Sequence, residues 1–180
     1  MYFNIEQCRL LLQCLQDDRL YPFYAVAVGC GLRLGEILAL HWEDINFENS
    51  TLSVKRTLQK VNNKGRFGEL KSKKARRSVA MPRFLDALKN RKESGLIFAT
   101  SNGTPFAHQN IHRHFKKTLV KLGLPEIRFH DLRHSYASIL ASQNVHPKTV
   151  QEALGHSTIT LTLEPIPTSC PVCRKKWPKN

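Results

Sequence analysis

Hydrophobic residues recur at intervals of three and four through most of this 180-residue chain, which is the period of an amphipathic α-helix. Between Ala107 and Leu122 the spacing is regular, and it ends at Gly123, a residue type that commonly terminates helices. Asn4 and Gln7 form a predicted capping box ahead of the first helix. The pattern predicts helices over residues 5–15, 22–28, 34–40, 82–91, 107–122, 130–142 and 147–155.

Two short segments have the alternating pattern of β-strands instead. Residues 51–61 alternate β-branched and polar side chains, and residues 76–81 are predicted to return beside them. The "NNKG" at 62–65 is a turn signal between the two strands. Gly29 and Gly31 are expected to end the second helix. The sequence therefore predicts a mainly α domain with one small antiparallel β-sheet, an α+β fold.

Composition narrows the class of protein. A length of 180 residues with 41% hydrophobic content suits one globular domain. There is no apolar run of 18 residues, and the N-terminal segment lacks the basic flank of a signal peptide, so we expect a cytoplasmic protein without a membrane span. The five cysteines are odd in number and irregular in spacing; we expect no disulfide framework, with the first three as buried thiols.

The net charge of +14 is concentrated in one segment. Residues 55–77 hold ten Lys or Arg and a single acid, Glu69. A solvated surface is the simplest explanation of a charge run. This run is long, of one sign and flanked by predicted strands, which favours a polyanionic partner, most often nucleic acid. The residues expected to contact DNA are Lys55, Arg56, Lys60, Lys64, Arg66, Lys73, Lys74, Arg76 and Arg77.

Two short motifs carry candidate phosphate chemistry. "GLRLGE" places Arg33 directly after a glycine break, with Glu36 one turn later. That spacing fits an ordinary helix ion pair, or an arginine oriented toward a ligand that approaches the glycine backbone. "HDLR" places His130 and Arg133 on one helix face. Such a pair can bind a phosphate, but it is also common on surface helices.

Two further motifs complete an ordered set. Lys71 in "KSKKARRSV" is, taken alone, a DNA-backbone contact or a solvated side chain, and His156 in "LGH" is more often structural. In chain order, however, "GLRLGEILALHWEDI", "LKSKKARRSVAMP", "HDLRHSYASIL" and "LGHSTITLTL" resemble the motifs of the tyrosine recombinases, the phage integrase family. The resemblance covers roughly residues 4–163 and implies that residues 1–163 form the family's catalytic domain.

The resemblance implies a metal-free phosphoryl transfer on double-stranded DNA, without a cofactor. Arg33 and Arg133 would bind the non-bridging oxygens of the scissile phosphate, a task that suits bidentate guanidinium groups. His130 and His156 would add hydrogen-bond donors, and Lys71 would protonate the leaving 5′-oxygen. The implied catalytic set is Arg33, Lys71, His130, Arg133 and His156, with Glu36 holding the arginines.

The chain departs from the family pattern at the nucleophile. The family's tyrosine is expected shortly after "LGHSTITLTL", and the position that the pattern assigns is Ile166. No tyrosine follows Tyr136. Residues 164–180 hold four of the nine prolines and two of the five cysteines, and we expect them to form a disordered tail. A frameshift, a truncated coding region or a junction with foreign sequence would each explain this tail.

Two other features bear on the expected activity. The family's N-terminal DNA-clamp domain has no counterpart before the first motif, which would remove part of the grip on DNA. The "CPVC" at 170–173 is half of a zinc ribbon without its second ligand pair, so we expect no metal.

The leading prediction is a recombinase catalytic domain that binds duplex DNA but lacks its nucleophile. Free in solution it is expected to be a monomer, and full-length recombinase subunits are candidate partners. An alternative is a non-catalytic DNA-binding module that competes with a full-length integrase. A tyrosine in another reading frame beyond codon 163 would favour a recent lesion over that alternative. A third interpretation is a basic RNA-binding protein with an incidental His/Arg set, which would prefer RNA to duplex DNA.

Overall fold

A computed structural model describes residues 1–61, 64–70, 76–81 and 94–155 of the chain. Within them the fold is mainly α-helical with small antiparallel sheets, as the sequence predicts. The predicted helix at 82–91 and the tail at 164–180 lie outside the described residues. The helices are α1 (Ile5–Cys14), α2 (Tyr21–Cys30), α3 (Leu34–Leu38), α4 (His108–Leu122), α5 (Asp131–Ser142) and α6 (Pro147–Leu154), with a 3₁₀ turn at Trp42–Asp44.

The described strands form two small antiparallel sheets, one more than the single sheet that the sequence predicts. A three-stranded sheet has the order β1-β2-β5, and β3 pairs with β4 in a separate antiparallel hairpin. In register, Leu52 faces Val79 across the first sheet and Leu58 faces Phe67 across the second. The strands are β1 (Ile45–Asn46), β2 (Thr51–Val54), β3 (Arg56–Val61), β4 (Lys64–Glu69) and β5 (Arg77–Ala80).

The single strand predicted at 51–61 is two strands that change partners at Lys55. Before this residue the chain pairs with β1 and β5, and after it the chain pairs only with β4. The alternating pattern continues through the change, so it carries no signal for it. The sequence does not predict β4 as a strand, because its two glycines and Lys64 are residue types that are uncommon in strands.

The core is built around α2, whose residues from Phe23 to Val28 are all buried. A helix that is apolar on every side must be surrounded, and α2 contacts α1, α3 and α5. The hydroxyl of Tyr24 lies 2.9 Å from Nδ1 of His114, whose Nε2 lies 3.2 Å from Asp18, so this buried phenol has a polar partner. No helix in the described part of the chain is long and apolar enough to cross a membrane.

The helix ends follow the predicted caps. Asn4 and Gln7 make the capping box of α1 in full. Gly31 ends α2 with φ of +60°, a conformation that side-chain-bearing residues adopt at a cost. Gly29 differs from expectation, since it remains inside α2, and only Gly31 breaks the helix.

Gly35 allows α3 to approach the backbone of β3. A Cβ atom at this position would lie 2.5 Å from the carbonyl oxygen of Leu58 and 2.7 Å from Oγ1 of Thr57. Both distances are too short for non-bonded atoms, and one of the opposing atoms is backbone, which cannot rotate away. The glycine therefore sets the distance between the helix that carries Glu36 and the β3–β4 hairpin.

Replacement of Gly35 by alanine is expected to destabilise the protein by about 1–3 kcal/mol, the usual cost of overpacking a close contact. The measurement is the free energy of unfolding from urea titration. Gly68→Ala is the matched control, because a Cβ there would lie 3.9 Å from the nearest atom, the side-chain amide of Gln59. Equal stability of Gly35→Ala and the unmodified chain would contradict the close packing of α3 on β3.

Candidate phosphate-binding site

The centre of the candidate site is the carboxylate of Glu36, which is only 1% exposed. Arg33, directly ahead of α3, donates from Nη1 to Oε1 at 2.8 Å and from its backbone N–H to Oε2 at 2.9 Å. Arg77 donates from Nη2 to Oε2 at 3.0 Å. Burial alone would raise the pKa of Glu36, but the hydrogen bond and charge of Arg77, then those of Arg33, keep it below its ordinary value of 4.5.

Arg77 is an interior residue, which differs from its predicted role as a DNA contact. Its side chain is 6% exposed and lies between Glu36 and the end of α6. Nε donates to the carbonyl oxygen of Ala153 at 2.7 Å. A guanidinium engaged on both sides in this way holds protein elements together and is not presented to a duplex.

Arg133 is also buried, at 3% exposure, on the first turn of α5. Nη1 donates to the carbonyl oxygen of Gly31 at 2.7 Å, and Nη2 donates to that of Leu154. Burial lowers the pKa of Arg133 to about 9, and the positive charge of Arg33 adds to this, whereas Glu36 opposes it. The group is still a cation at neutral pH, held between the ends of two helices.

His130 is the N-cap residue of α5 and is exposed overall, with its imidazole ring partly covered. Partial burial of its ring lowers its pKa below the ordinary 6.5, and the nearby His134, Arg133 and Arg33 lower it further. The two imidazole rings meet edge to face at 5.3 Å between centroids. His130 is therefore neutral at pH 7 and able to donate from one ring nitrogen and accept at the other.

The structure thus brings Arg33, Glu36, His130 and Arg133 into one neighbourhood, although α3 and α5 are about a hundred residues apart in the chain. Arg33 is the half-exposed member, with 41% of its side chain accessible. Two arginines of different exposure beside a neutral histidine can bind an oxyanion through charge-assisted hydrogen bonds. The predicted site residues Lys71, His156 and Ile166 lie outside the described residues.

The basic segment carries less free charge than its sequence indicates. Lys55 lies 3.0 Å from the buried carboxylate of Asp44, and Arg56 pairs with both Asp44 and Glu43. Arg76 pairs with Glu69 at 2.6 Å on the surface. Most of these acids come from outside the segment, so a count within residues 55–77 misses them.

Of the other basic residues that are expected to contact DNA, the structure describes only some. Arg66 is exposed on β4, where a duplex could reach it. The backbones of Lys60 and Lys64 lie in β3 and β4. Lys73 and Lys74 lie outside the described residues. The DNA-binding role of this set stays a prediction.

Sequence reasoning missed the positions of Arg77 and His134. Arg77 is one of ten similar residues in a basic run, and its partners Glu36 and Ala153 are distant in sequence, so nothing local distinguishes it. His134 could have been found from its spacing, because it lies one helical turn after His130 on the same face of α5.

The described residues contain no group of three or more His, Cys, Asp or Glu side chains placed to hold a metal ion. Cys8 and Cys30 are buried free thiols, as predicted, and burial raises the pKa of Cys8 to about 11 and that of Cys30 to about 12. Cys14 is only half-buried. Cys170 and Cys173 lie outside the described residues.

Comparison with known proteins gives a consistent result. The model of the phage integrase family matches residues 3–164. A tyrosine recombinase XerC-like protein of Caldanaerobacter subterraneus subsp. tengcongensis is 34% identical over 89% of this chain and 48% of its own length. The integrase of Staphylococcus phage L54a is 27% identical over 74% of this chain and 43% of its own length. The chain thus spans about half the length of the curated relatives it matches.

Solved structures show the same fold. The Tn1549 transposon integrase, in complex with circular intermediate DNA, superposes with a TM-score of 0.82 at 23% identity, covering 94% of this chain and 63% of the other. The XerA recombinase gives a TM-score of 0.74 at 21% identity, covering 90% of this chain and 57% of the other.

The histidine pair is expected to make stability depend on pH. The folded chain binds protons at His130 and His134 less readily than the unfolded chain, whose histidines titrate near 6.5. As the pH falls below about 6.5, the unfolded state gains protons that the folded state does not, so the free energy of unfolding decreases. The lowered pKa values of Glu36 and Asp131 act in the same direction but only at lower pH.

The measurement is urea unfolding at pH 7.5 and at pH 5.5, values chosen on either side of the ordinary histidine pKa. The double variant His130→Gln/His134→Gln should show a smaller decrease between the two. An unmodified chain that is equally stable at both values would contradict the assignment of these two pKa shifts.

Proposed function

The chain belongs to the phage integrase family, and on that premise we propose that Arg33, Arg133 and His130 bind a DNA phosphate during site-specific recombination. The observation that supports this most directly is the sharing of one buried carboxylate by two arginines, of which Arg33 is half-exposed. One carboxylate cannot neutralise Arg33, Arg77 and Arg133 together, so the site keeps a net positive charge. An oxyanion is the ligand that such a site stabilises.

Each proposed group has a distinct part. Arg33 meets the phosphate first, because it is half-exposed, whereas Arg133 is 3% exposed and has two of its five N–H donors on carbonyl oxygens. Charge on the equatorial oxygens of a transferring phosphoryl group is stabilised by fixed cations. Neutral His130 supplies a further donor. From the family resemblance we propose that His156 adds a donor and Lys71 protonates the leaving 5′-oxygen.

Neighbouring residues hold the two arginines Arg33 and Arg133 in fixed positions. Arg133 is fixed by carbonyl groups from the ends of α2 and α6. Arg33 is fixed by Glu36, which is in turn fixed by Arg77. Cations that are already oriented need no reorganisation as charge develops on the phosphate, which is the main source of catalysis in sites of this kind.

We propose further that these 180 residues do not complete strand cleavage by themselves. The position at which the family pattern places its nucleophilic tyrosine is Ile166, whose side chain has no attacking atom. This observation also favours a second candidate function, a DNA-binding module that competes with a full-length integrase. The two share one phosphate site, and they differ in whether a tyrosine tail restores cleavage.

The proposed partners follow from the same site. Duplex DNA is the substrate, which agrees with the expected cytoplasmic location, and full-length recombinase subunits are the protein partners. The free chain is proposed to be a monomer. An RNA-binding protein, the third interpretation, would bind duplex RNA at least as tightly as duplex DNA of the same length.

Binding of duplex DNA is expected to be strongly salt-dependent and largely independent of sequence. If about six phosphates are neutralised, affinity should fall about a thousandfold between about 50 and 200 mM salt. Fluorescence anisotropy of a labelled duplex measures this. Arg66→Gln should reduce the slope by about one unit, whereas Arg9→Gln, which removes an exposed charge paired with Glu6 on α1, should leave the slope unchanged. An affinity for duplex DNA that does not change with salt concentration would contradict DNA as the partner.

The unmodified chain is expected to form no covalent adduct with DNA. The assay is a nicked duplex that carries the crossover site of the parent element, with an adduct seen as a mobility shift that survives denaturation. Replacing residues 164–180 by a family-like tail that bears a tyrosine should produce the adduct. Ile166→Tyr alone should not, because Pro165 and Pro167 restrict the backbone on both sides.

The control for the grafted tail is the same graft with its tyrosine replaced by phenylalanine, which should form no adduct. An adduct from the unmodified chain would contradict the proposal, and mapping the linked residue would identify the side chain that attacks. Failure of the tyrosine graft alongside normal DNA binding would favour the non-catalytic module.

A further inference from the structure

Two guanidinium groups share the Glu36 carboxylate but differ in what they can reach. Arg33 contacts it with one side-chain nitrogen, Nη1 on Oε1, and keeps 41% of its side chain accessible. Arg77 spans both oxygens, with Nη2 on Oε2 at 3.0 Å and Nη1 on Oε1 at 3.3 Å, and is 6% exposed. The guanidinium of Arg77 therefore contacts both carboxylate oxygens, whereas the guanidinium of Arg33 contacts only Oε1, and Oε2 accepts from the backbone N–H of Arg33.

This division matters because a carboxylate that is 1% exposed attracts any cation within reach. Without Arg77, the closest guanidinium left to Glu36 is that of Arg33, which is already 2.8 Å away. A bidentate fork–fork pair is the preferred arrangement of arginine with a carboxylate. Arg33 would then turn inward onto both oxygens, and its outer donors would be withdrawn from solvent.

We propose that Arg77 is a positioning residue: by occupying both oxygens of Glu36 it keeps the Arg33 guanidinium directed outward, toward the DNA phosphate. The inference rests on the proposed function for the use that is made of Arg33. Arg77, a residue of β5 within the basic segment, would thus affect phosphate binding without contacting DNA.

The environment of Arg77 fixes it in this position. Its Nε is held by the carbonyl of Ala153, and a Cβ at Gly155 would lie 3.0 Å from its Nη1, so the chain passes directly against the guanidinium. Three elements thus meet at this side chain: α3 through Glu36, α6 through Ala153, and β5 itself. A lysine has a single nitrogen and cannot reach two carboxylate oxygens and a carbonyl in this geometry.

The experiment is a double-mutant cycle on affinity for a labelled duplex DNA at fixed low salt. Arg33→Ala should weaken binding on the order of tenfold, the value of a hydrogen bond to a charged group. Arg77→Met should weaken it by a similar factor. Adding Arg33→Ala to Arg77→Met should then cost less than about twofold, because Arg33 has already left the phosphate.

Arg76→Met is the matched control, since it removes the same charge one residue away, from an exposed side chain that pairs with Glu69 instead of Glu36. In that background Arg33→Ala should still cost its full tenfold. Thermal unfolding of each variant separates loss of binding from loss of fold. Additive effects of Arg77→Met and Arg33→Ala, in variants that remain folded, would overturn the inference.

The charge-balanced variant Arg77→Met/Glu36→Gln gives a second test, and it removes both members of the buried pair at once, so neither of the two is left unpaired. A neutral amide does not draw Arg33 inward, although it also anchors Arg33 less firmly than Glu36 does. Affinity should therefore recover only in part, and Arg33→Ala should again cost about tenfold because Arg33 is back on the phosphate. If Arg33→Ala costs less than about twofold in this folded variant, Arg33 does not return to the phosphate when the carboxylate is removed, and the inference is overturned. This double variant tests the positioning role of Arg77 even if Arg77→Met alone fails to fold.

The result for Arg33→Ala alone separates this inference from the proposed function. If that single change leaves DNA affinity intact, the phosphate site itself is wrong. If it weakens binding while the cycle with Arg77→Met is additive, the phosphate site stands and only the positioning role of Arg77 fails.

Discussion

The burial of one carboxylate constrains the arrangement of the whole site. A glutamate that is 1% exposed is stable as an anion only when cations lie against it, and both of its cationic partners are arginines. One of them, Arg33, lies directly ahead of α3, and the other comes from a strand at the far end of the basic segment. The requirement to neutralise Glu36 therefore adds a buried polar contact between α3 and β5, two elements whose apolar residues also share one hydrophobic core.

The arginines also solve a second problem, the unpaired carbonyl groups at helix ends. The last carbonyls of a helix have no partner within the helix, and they carry partial negative charge. Arg133 donates to Gly31, just past the end of α2, and to Leu154 at the end of α6, while Arg77 donates to Ala153. Two helix C-termini thus point at the same cationic cluster. The helix ends lower the cost of holding several positive charges close together, which a phosphate site needs and which like-charge repulsion opposes.

Local sequence patterns determine the helices and caps but not the contacts between them. Hydrophobic spacing and the Asn4–Gln7 capping box predicted α1 and α4 to within a residue or two, because both signals act over a few residues. The order of motifs brought Arg33 and Arg133 to one site by resemblance to a family. The change of partners at Lys55 and the interior place of Arg77 were not predictable in this way. Each depends on a residue distant in sequence, and an alternating or a basic pattern looks the same whichever partner it meets.

The packing at Gly31 links the residue types that positions 31 and 136 can hold. Its carbonyl is held by Arg133, and the space where a side chain would project is filled by the ring of Tyr136, one turn further along α5. Even asparagine, which tolerates a left-handed backbone, would collide with that ring. A larger residue at position 31 is therefore compatible with the fold only after Tyr136 has become smaller, and that change alone would remove the ring that packs against Gly31. Neither substitution is neutral alone, so the two positions are expected to vary as a unit.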